Sequence, residues 1–217
     1  VDKTSYLNQS IKAISALFID LYDPQVVKFW PNCLAACVNT GIGVKFNMPM
    51  FEEDYKGAIE IEECLDGETC ADTESTGWKS DTSMSNEYIL RALPKLPENF
   101  LTSDTWYLVT VSKGVRALNK LNPTDPKDEE NAGKPMKEDF VWKFRTKNDD
   151  TPCVVSSVNV LPNPFWATVI WQKTKYTASP ISSPDACSPD GQELNPWLYG
   201  WEWVSTDKDV ATTTNFS

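Results

Sequence analysis

Cys33, Cys37, Cys64, Cys70, Cys153 and Cys187 are the side chains of this sequence with the clearest chemistry open to them. They fall into three neighbouring pairs, four, six and 34 residues apart. An even count at close spacing reads as a disulfide framework, and such bridges persist in oxidising surroundings. The expected pairing is sequential, with Cys153–Cys187 tying a strand to a proline-rich loop. A cross-link from Cys33 or Cys37 to the loop holding Cys64 and Cys70 stays open, because six cysteines allow fifteen connectivities. The longest of the sequential bridges would contribute on the order of 3 kcal/mol by restricting the unfolded chain. The chain has no histidine. It therefore lacks the usual general base near neutral pH and the commonest metal ligand.

Oxygen ligands are a second resource. Asp125, Asp128, Glu129 and Glu130 sit together in a long polar loop, and Asp149 and Asp150 form a smaller acidic group further on. Calcium favours such oxygen-rich loops, although the spacing is not that of an EF-hand. A solvated charged face is the plainer reading of both. Aromatic rings are a third resource: Trp166, Trp171, Trp197, Trp201 and Trp203 all lie in the last third of the chain. Flat rings stack on the apolar faces of sugars, and they pack cores equally well. Trp166 and Trp197 are the candidates for a sugar platform; Trp197, between Pro196 and Leu198, is expected to be exposed. Glu60, Glu62, Glu63 and Asp104 supply carboxylates, but with 31 acidic residues some pairing arises by chance. No nucleophile elbow, phosphate loop or dinucleotide fingerprint occurs. The expectation is a protein that is not an enzyme and needs no cofactor, calcium being the exception to test.

Charge narrows the partners. Twenty basic against 31 acidic residues leave a net charge of −11 over 217 residues. Nucleic-acid backbones and anionic membrane surfaces repel such a chain. The most apolar run, residues 11–21, is broken by Lys12 and Asp20, so no stretch has the roughly 18–20 apolar residues that cross a bilayer. The chain opens on Val1 and is read as a piece of something longer.

The elements that must hold these residues are mostly strands. Leu7, Ile11, Ile14, Leu17, Phe18 and Leu21 have helical spacing, which makes residues 1–23 either a helical lead-in or the end of a preceding domain. From residue 26 the period changes to two. Strands are expected at 26–30, 41–46, 58–62, 88–93, 105–111 and 140–146, then at 153–160, 167–171, 175–178 and 199–203. Trp142 with Phe144, and Trp106 with Leu108, are expected to fill the space between two sheets. Residues 119–137 have loop composition, as do 182–196 with their four prolines and Gly191. The polar run 148–152 is the expected domain boundary.

These residues also carry a resemblance. The strand leading to Pro31, the stretch Ile42-Gly-Val-Lys-Phe-Asn-Met-Pro-Met50, the strand Tyr107-Leu-Val-Thr-Val-Ser-Lys-Gly-Val115 and the closing Trp142-Lys-Phe-Arg-Thr146 occur in that order. Together they resemble the bacterial Ig-like domain of S-layer and other surface proteins. A looser similarity to a second such repeat runs through Ser157-Val-Asn-Val-Leu-Pro162, Tyr199-Gly-Trp-Glu-Trp203 and Val210-Ala-Thr212. The resemblance implies spacers, stalks or adhesive units. It carries over no catalytic residue.

The expected fold class is all-β, with tandem Ig-like β-sandwiches behind a short helical or extended lead-in. The units are 1–23, 24–148 and 149–217, the last of them incomplete at its end. The expected role is that of an extracellular or cell-surface structural or adhesive module whose partners are copies of itself or further domains of the same chain. The alternative is a carbohydrate-binding appendage of a secreted enzyme, with surface polysaccharide as partner.

Overall fold

The computed structural model describes residues 23–86, 88–94, 100–119, 129–161 and 176–204. The lead-in at 1–22, the strand expected at 167–171, Trp166 and the Val210-Ala-Thr212 motif lie outside the described residues. Twelve strands are described: β1 (Val26–Trp30), β2 (Gly43–Phe46), β3 (Ile59–Cys64), β4 (Thr73–Ser75), β5 (Lys79–Asn86), β6 (Ile89–Leu93), β7 (Trp106–Val111), β8 (Arg116–Leu118), β9 (Ala132–Pro135), β10 (Phe140–Arg145), β11 (Val155–Leu161) and β12 (Thr177–Ser182). The described residues contain short 3-10 turns and no α-helix. The chain is all-β.

Two antiparallel four-stranded sheets face each other, in the orders β1-β2-β6-β5 and β10-β7-β3-β4. Alternation sets which residues they share. Along β10, Trp142 and Phe144 are buried while Val141 and Lys143 are exposed. Trp142 lies opposite Val109, and Phe144 opposite Tyr107, so Tyr107, Val109 and Val111 must point inward with them. Val44, Phe46, Leu90 and Ala92 meet them from the other sheet in one core. Tyr107 stacks on Phe144 at 5.3 Å, and Phe29 of β1 tilts against Trp142 at 5.4 Å, so aromatic rings bridge the two sheets. Each such buried side chain contributes about 1.5–3 kcal/mol through removal from water.

Trp106 and Leu108 do not belong to this core; both are only half-buried. A one-residue offset moves a strand's whole set to the other face, and the pairing with β10 fixes the offset opposite to the one expected. The 65–87 stretch also departs from expectation. No strand is expected there, yet it supplies β4 and β5, one edge strand of each sheet. The sequence of β5, KSDTSMSN, has little β propensity of its own. Its pairing with β6, Lys79 opposite Leu93 and Asp81 opposite Arg91, holds it extended. Within the expected loop 119–137, Ala132–Pro135 pairs with β8.

Beyond residue 149 the described residues contain the antiparallel strand pair β11–β12 and an irregular segment to residue 204. β12 turns Ala178 and Ser182 inward, whereas β11 is largely exposed on both faces. Residues 199–203 are not the strand their alternation suggested. Asn195 and Pro196 start a 3-10 turn at Pro196–Leu198 instead, with the Asn195 side chain accepting from the Trp197 N–H at 3.1 Å. From there the chain leaves without a ladder partner among the described residues.

Candidate functional site

Four of the cysteines converge where residues 31–42, the link from β1 to β2, meet Cys153 ahead of β11 and the segment after β12. Cys33 is bridged to Cys187 and Cys37 to Cys153, with Cα–Cα distances of 5.2 and 5.7 Å. Cys64 and Cys70, six positions apart, are bridged at the turn that joins β3 to β4, at 4.6 Å. The sequential pairs Cys33–Cys37 and Cys153–Cys187 are therefore corrected to two long bridges, while Cys64–Cys70 stands as expected. Geometry gives the reason. β1 and β2 are neighbours in one sheet, but the link between them reaches across to the other, where Ala36 forms a parallel bridge with Thr146 just after β10. That path brings Cys37 beside the start of the next segment at Cys153. Nothing local in the sequence reports such a crossing.

Polar side chains finish the joint. Asn39 is buried, and its amide matches the backbone of a single residue: Oδ1 accepts from the Cys153 N–H at 2.9 Å and Nδ2 donates to the Cys153 carbonyl at 2.9 Å. Nδ2 also donates to the Tyr199 hydroxyl at 3.2 Å. Burial raises the pKa of that hydroxyl, and the bond from Asn39 opposes the rise. Gln192 answers from the other side. Its Oε1 accepts from the Cys37 N–H at 2.8 Å, and its Nε2 donates to Asp185 at 2.7 Å. The backbone then pairs directly, Gly41 N–H donating to Glu193 at 2.8 Å and Asn195 N–H to Asn39 at 2.9 Å.

One sheet of the sandwich reaches the same segment with charged groups. Arg91 of β6 is buried, donates from Nε to Glu193 Oε1 at 2.8 Å and lies over the Trp30 ring at 5.8 Å. Asp81 of β5, also buried, accepts from Trp197 Nε1 at 2.8 Å. A positive φ of 84° at Gly191 makes the turn that presents Gln192, and a Cβ there would sit 2.2 Å from the Ser182 carbonyl. So residues 182–196, expected as a surface loop, carry the fully buried Leu194 and the buried Gln192 and Asn195. Sequence reading missed Asn39, Arg91, Gln192 and Glu193. Only the Pro189-Asp190-Gly191 turn signal hinted at a fixed geometry there.

The other candidates are scattered. Asp125 and Asp128 lie outside the described residues; Glu129 opens a 3-10 turn and Glu130 is exposed. Asp149 pairs with Lys147 at 3.0 Å, a bond that lowers its pKa, and accepts from the Thr151 N–H. Asp150 accepts from the Ser103 hydroxyl. Among the described residues no three His, Cys, Asp or Glu side chains are grouped to hold a metal. Glu62 accepts from Thr73 at 2.7 Å, and Asp104 pairs with Arg145. Trp197 is 41% exposed and Trp201 37%. Both indole N–H groups are bonded within the chain, Trp201 to the Pro196 carbonyl at 3.0 Å. No helix among the described residues is long and apolar enough to cross a membrane.

No protein-family model and no curated protein matches the chain. Among solved structures it is similar to the N-terminal part of the bacterial S-layer protein SbsC, at a TM-score of 0.42 and 15% identity over 71% of this chain and 30% of that one. It is also similar to domains 1–6 of surface layer protein SbsC, at 0.39 and 14% over 72% and 17%. A third likeness is to the native conformation of E. coli alpha-2-macroglobulin, at 0.36 and 17% over 66% and 7%. The chain thus spans less than a third of each of these proteins.

Proposed function

We propose that the chain is a non-catalytic structural module of a bacterial surface protein, working outside the cell as a spacer, an adhesive unit or an element of a layer or fibre. In this reading it divides near residue 149 into two units of Ig-like descent behind the 1–23 lead-in. The observation that carries the proposal is the pair of long bridges at the joint. Cys37–Cys153 and Cys33–Cys187 bind the sandwich to the segment that follows, and bridges of this kind last only in an oxidising compartment. A clamped joint fixes the direction in which one unit follows another, which is what a spacer requires. Its partners are further domains of the parent chain or further copies.

A carbohydrate-binding appendage is the second reading, favoured by the exposure of Trp197 and Trp201. Thiol counting and mass photometry on protein recovered from its native source test the first reading. Bridged cysteines together with surface labelling of intact cells support it, and free thiols would overturn it. Retention on a polysaccharide column that is lost in Trp197→Ala would favour the second.

A further inference from the structure

The two long bridges are nested. Cys33–Cys187 spans 154 residues and encloses Cys37–Cys153, which spans 116. A pull applied before Cys33 and after Cys187 therefore meets a covalent short cut. It runs along the chain to Cys33, crosses one sulfur–sulfur bond to Cys187 and continues outward, without entering the loop between them.

From this connectivity we infer that the module carries tension through the Cys33–Cys187 bridge and that the strands enclosed between these two cysteines are shielded from that tension. The inference rests on the reading of the chain as a structural module and adds the route by which that module transmits force. Among the described residues, β1 is the strand that lies outside the loop on the amino-terminal side, and 188–204 is the segment outside it on the carboxyl-terminal side. Load can peel β1 from β2 and draw Gln192 to Asn195 away from residues 37–41. It cannot separate β2, β3, β6, β7 and β10, whose aromatic core stays closed within the loop. Cys37–Cys153 is a second stop behind the first. If the outer bridge opens, the chain lengthens only by the difference between spans of 154 and 116 residues, which is 38 residues. At roughly 3.3–3.6 Å per extended residue that is about 13 nm, against about 50 nm hidden behind the outer bridge.

Single-molecule force spectroscopy on the full chain, held at its two ends, reads these lengths directly. The oxidised protein is expected to extend only through residues outside 33–187, and adding dithiothreitol is expected to lengthen the trace by about 50 nm. The double variant Cys33→Ser with Cys187→Ser is expected to gain only about 13 nm before it stops at the inner bridge. Equal extensions with and without reductant, while non-reducing mass spectrometry finds the bridges intact, would overturn the shielding. That result would leave the extracellular reading standing. Free cysteines in the native protein would overturn the extracellular reading, while the chain oxidised in vitro would still show the short trace. Should the variant not fold, the reductant comparison on the unaltered chain decides alone.

Discussion

The sandwich and the joint are held by different forces. Between the sheets, Tyr107, Phe144, Trp142, Val109 and their neighbours exclude water over a continuous apolar core. At the joint the described contacts include two disulfides, the buried Asn39 and Gln192, the Arg91–Glu193 pair and the Asp81–Trp197 bond. Apolar packing is cooperative and non-directional, so it tolerates exchange of similar side chains. A polar, cross-linked joint is directional: each group is matched to particular partners at fixed geometry, and loss of one leaves the other buried without that bond. The sandwich is thus built to stay folded and the joint to stay aligned.

Removing the Cys37–Cys153 bridge should have the largest effect. With the outer bridge in place the inner one closes a further loop of 38 residues, the difference between spans of 154 and 116, worth about 4 kcal/mol in the chain-entropy account, so Cys37→Ser with Cys153→Ser should lower the unfolding free energy by about that amount. Hydrogen exchange separates the two regions: protection should fall first around residues 153–161 and 191–195 and persist in β3 and β7. Equal loss everywhere would mean that joint and sandwich are one cooperative unit. Phe144→Ala makes the converse test. It should cost about 3–5 kcal/mol, seen as a lowered urea midpoint, with the loss of protection centred on β7 and β10. A smaller effect follows at Asn39. Asn39→Ala strands the Cys153 N–H and carbonyl, an expected loss of about 1–3 kcal/mol accompanied by faster exchange of the Cys153 amide. If the amide of Cys153 stays protected, Asn39 is not what aligns the joint.

The same division decides what the sequence disclosed. Alternation along β2, β3 and β10 was legible because apolar burial leaves a period of two in the residue types themselves. On β7, Trp106-Tyr-Leu-Val-Thr-Val111 is apolar or β-branched on both faces, so the inward set could be chosen only from its neighbour's register. β5 was invisible, since serine, threonine and asparagine are extended there through pairing with β6. The joint was the least legible part. Its specificity lies in partners 100 or more residues apart, such as Asn39 with Cys153 and Arg91 with Glu193, and no local pattern encodes such a distance. Cys64–Cys70 was found for the opposite reason, both residues belonging to a single hairpin.

Alkaline titration sharpens the contrast with the smallest perturbation. Tyr107 accepts from the Thr102 N–H at 2.8 Å inside the sandwich, and Tyr199 accepts from Asn39 at the joint. Burial raises the pKa of both hydroxyls above the ordinary value near 10, and in each the hydrogen bond partly offsets the rise. The folded protein therefore keeps these protons at a pH where the unfolded chain has begun to lose them. The stability they contribute is complete below about pH 10 and is lost as pH rises through the folded values. The more deeply buried Tyr107 should dominate, so Tyr107→Phe should flatten the alkaline fall in unfolding free energy more than Tyr199→Phe does. Phenolate absorbance should show Tyr199 ionising first, before the sheets open. If Tyr199→Phe flattens the fall as much as Tyr107→Phe, the joint excludes water as fully as the core, and directional bonding is not what distinguishes the two regions.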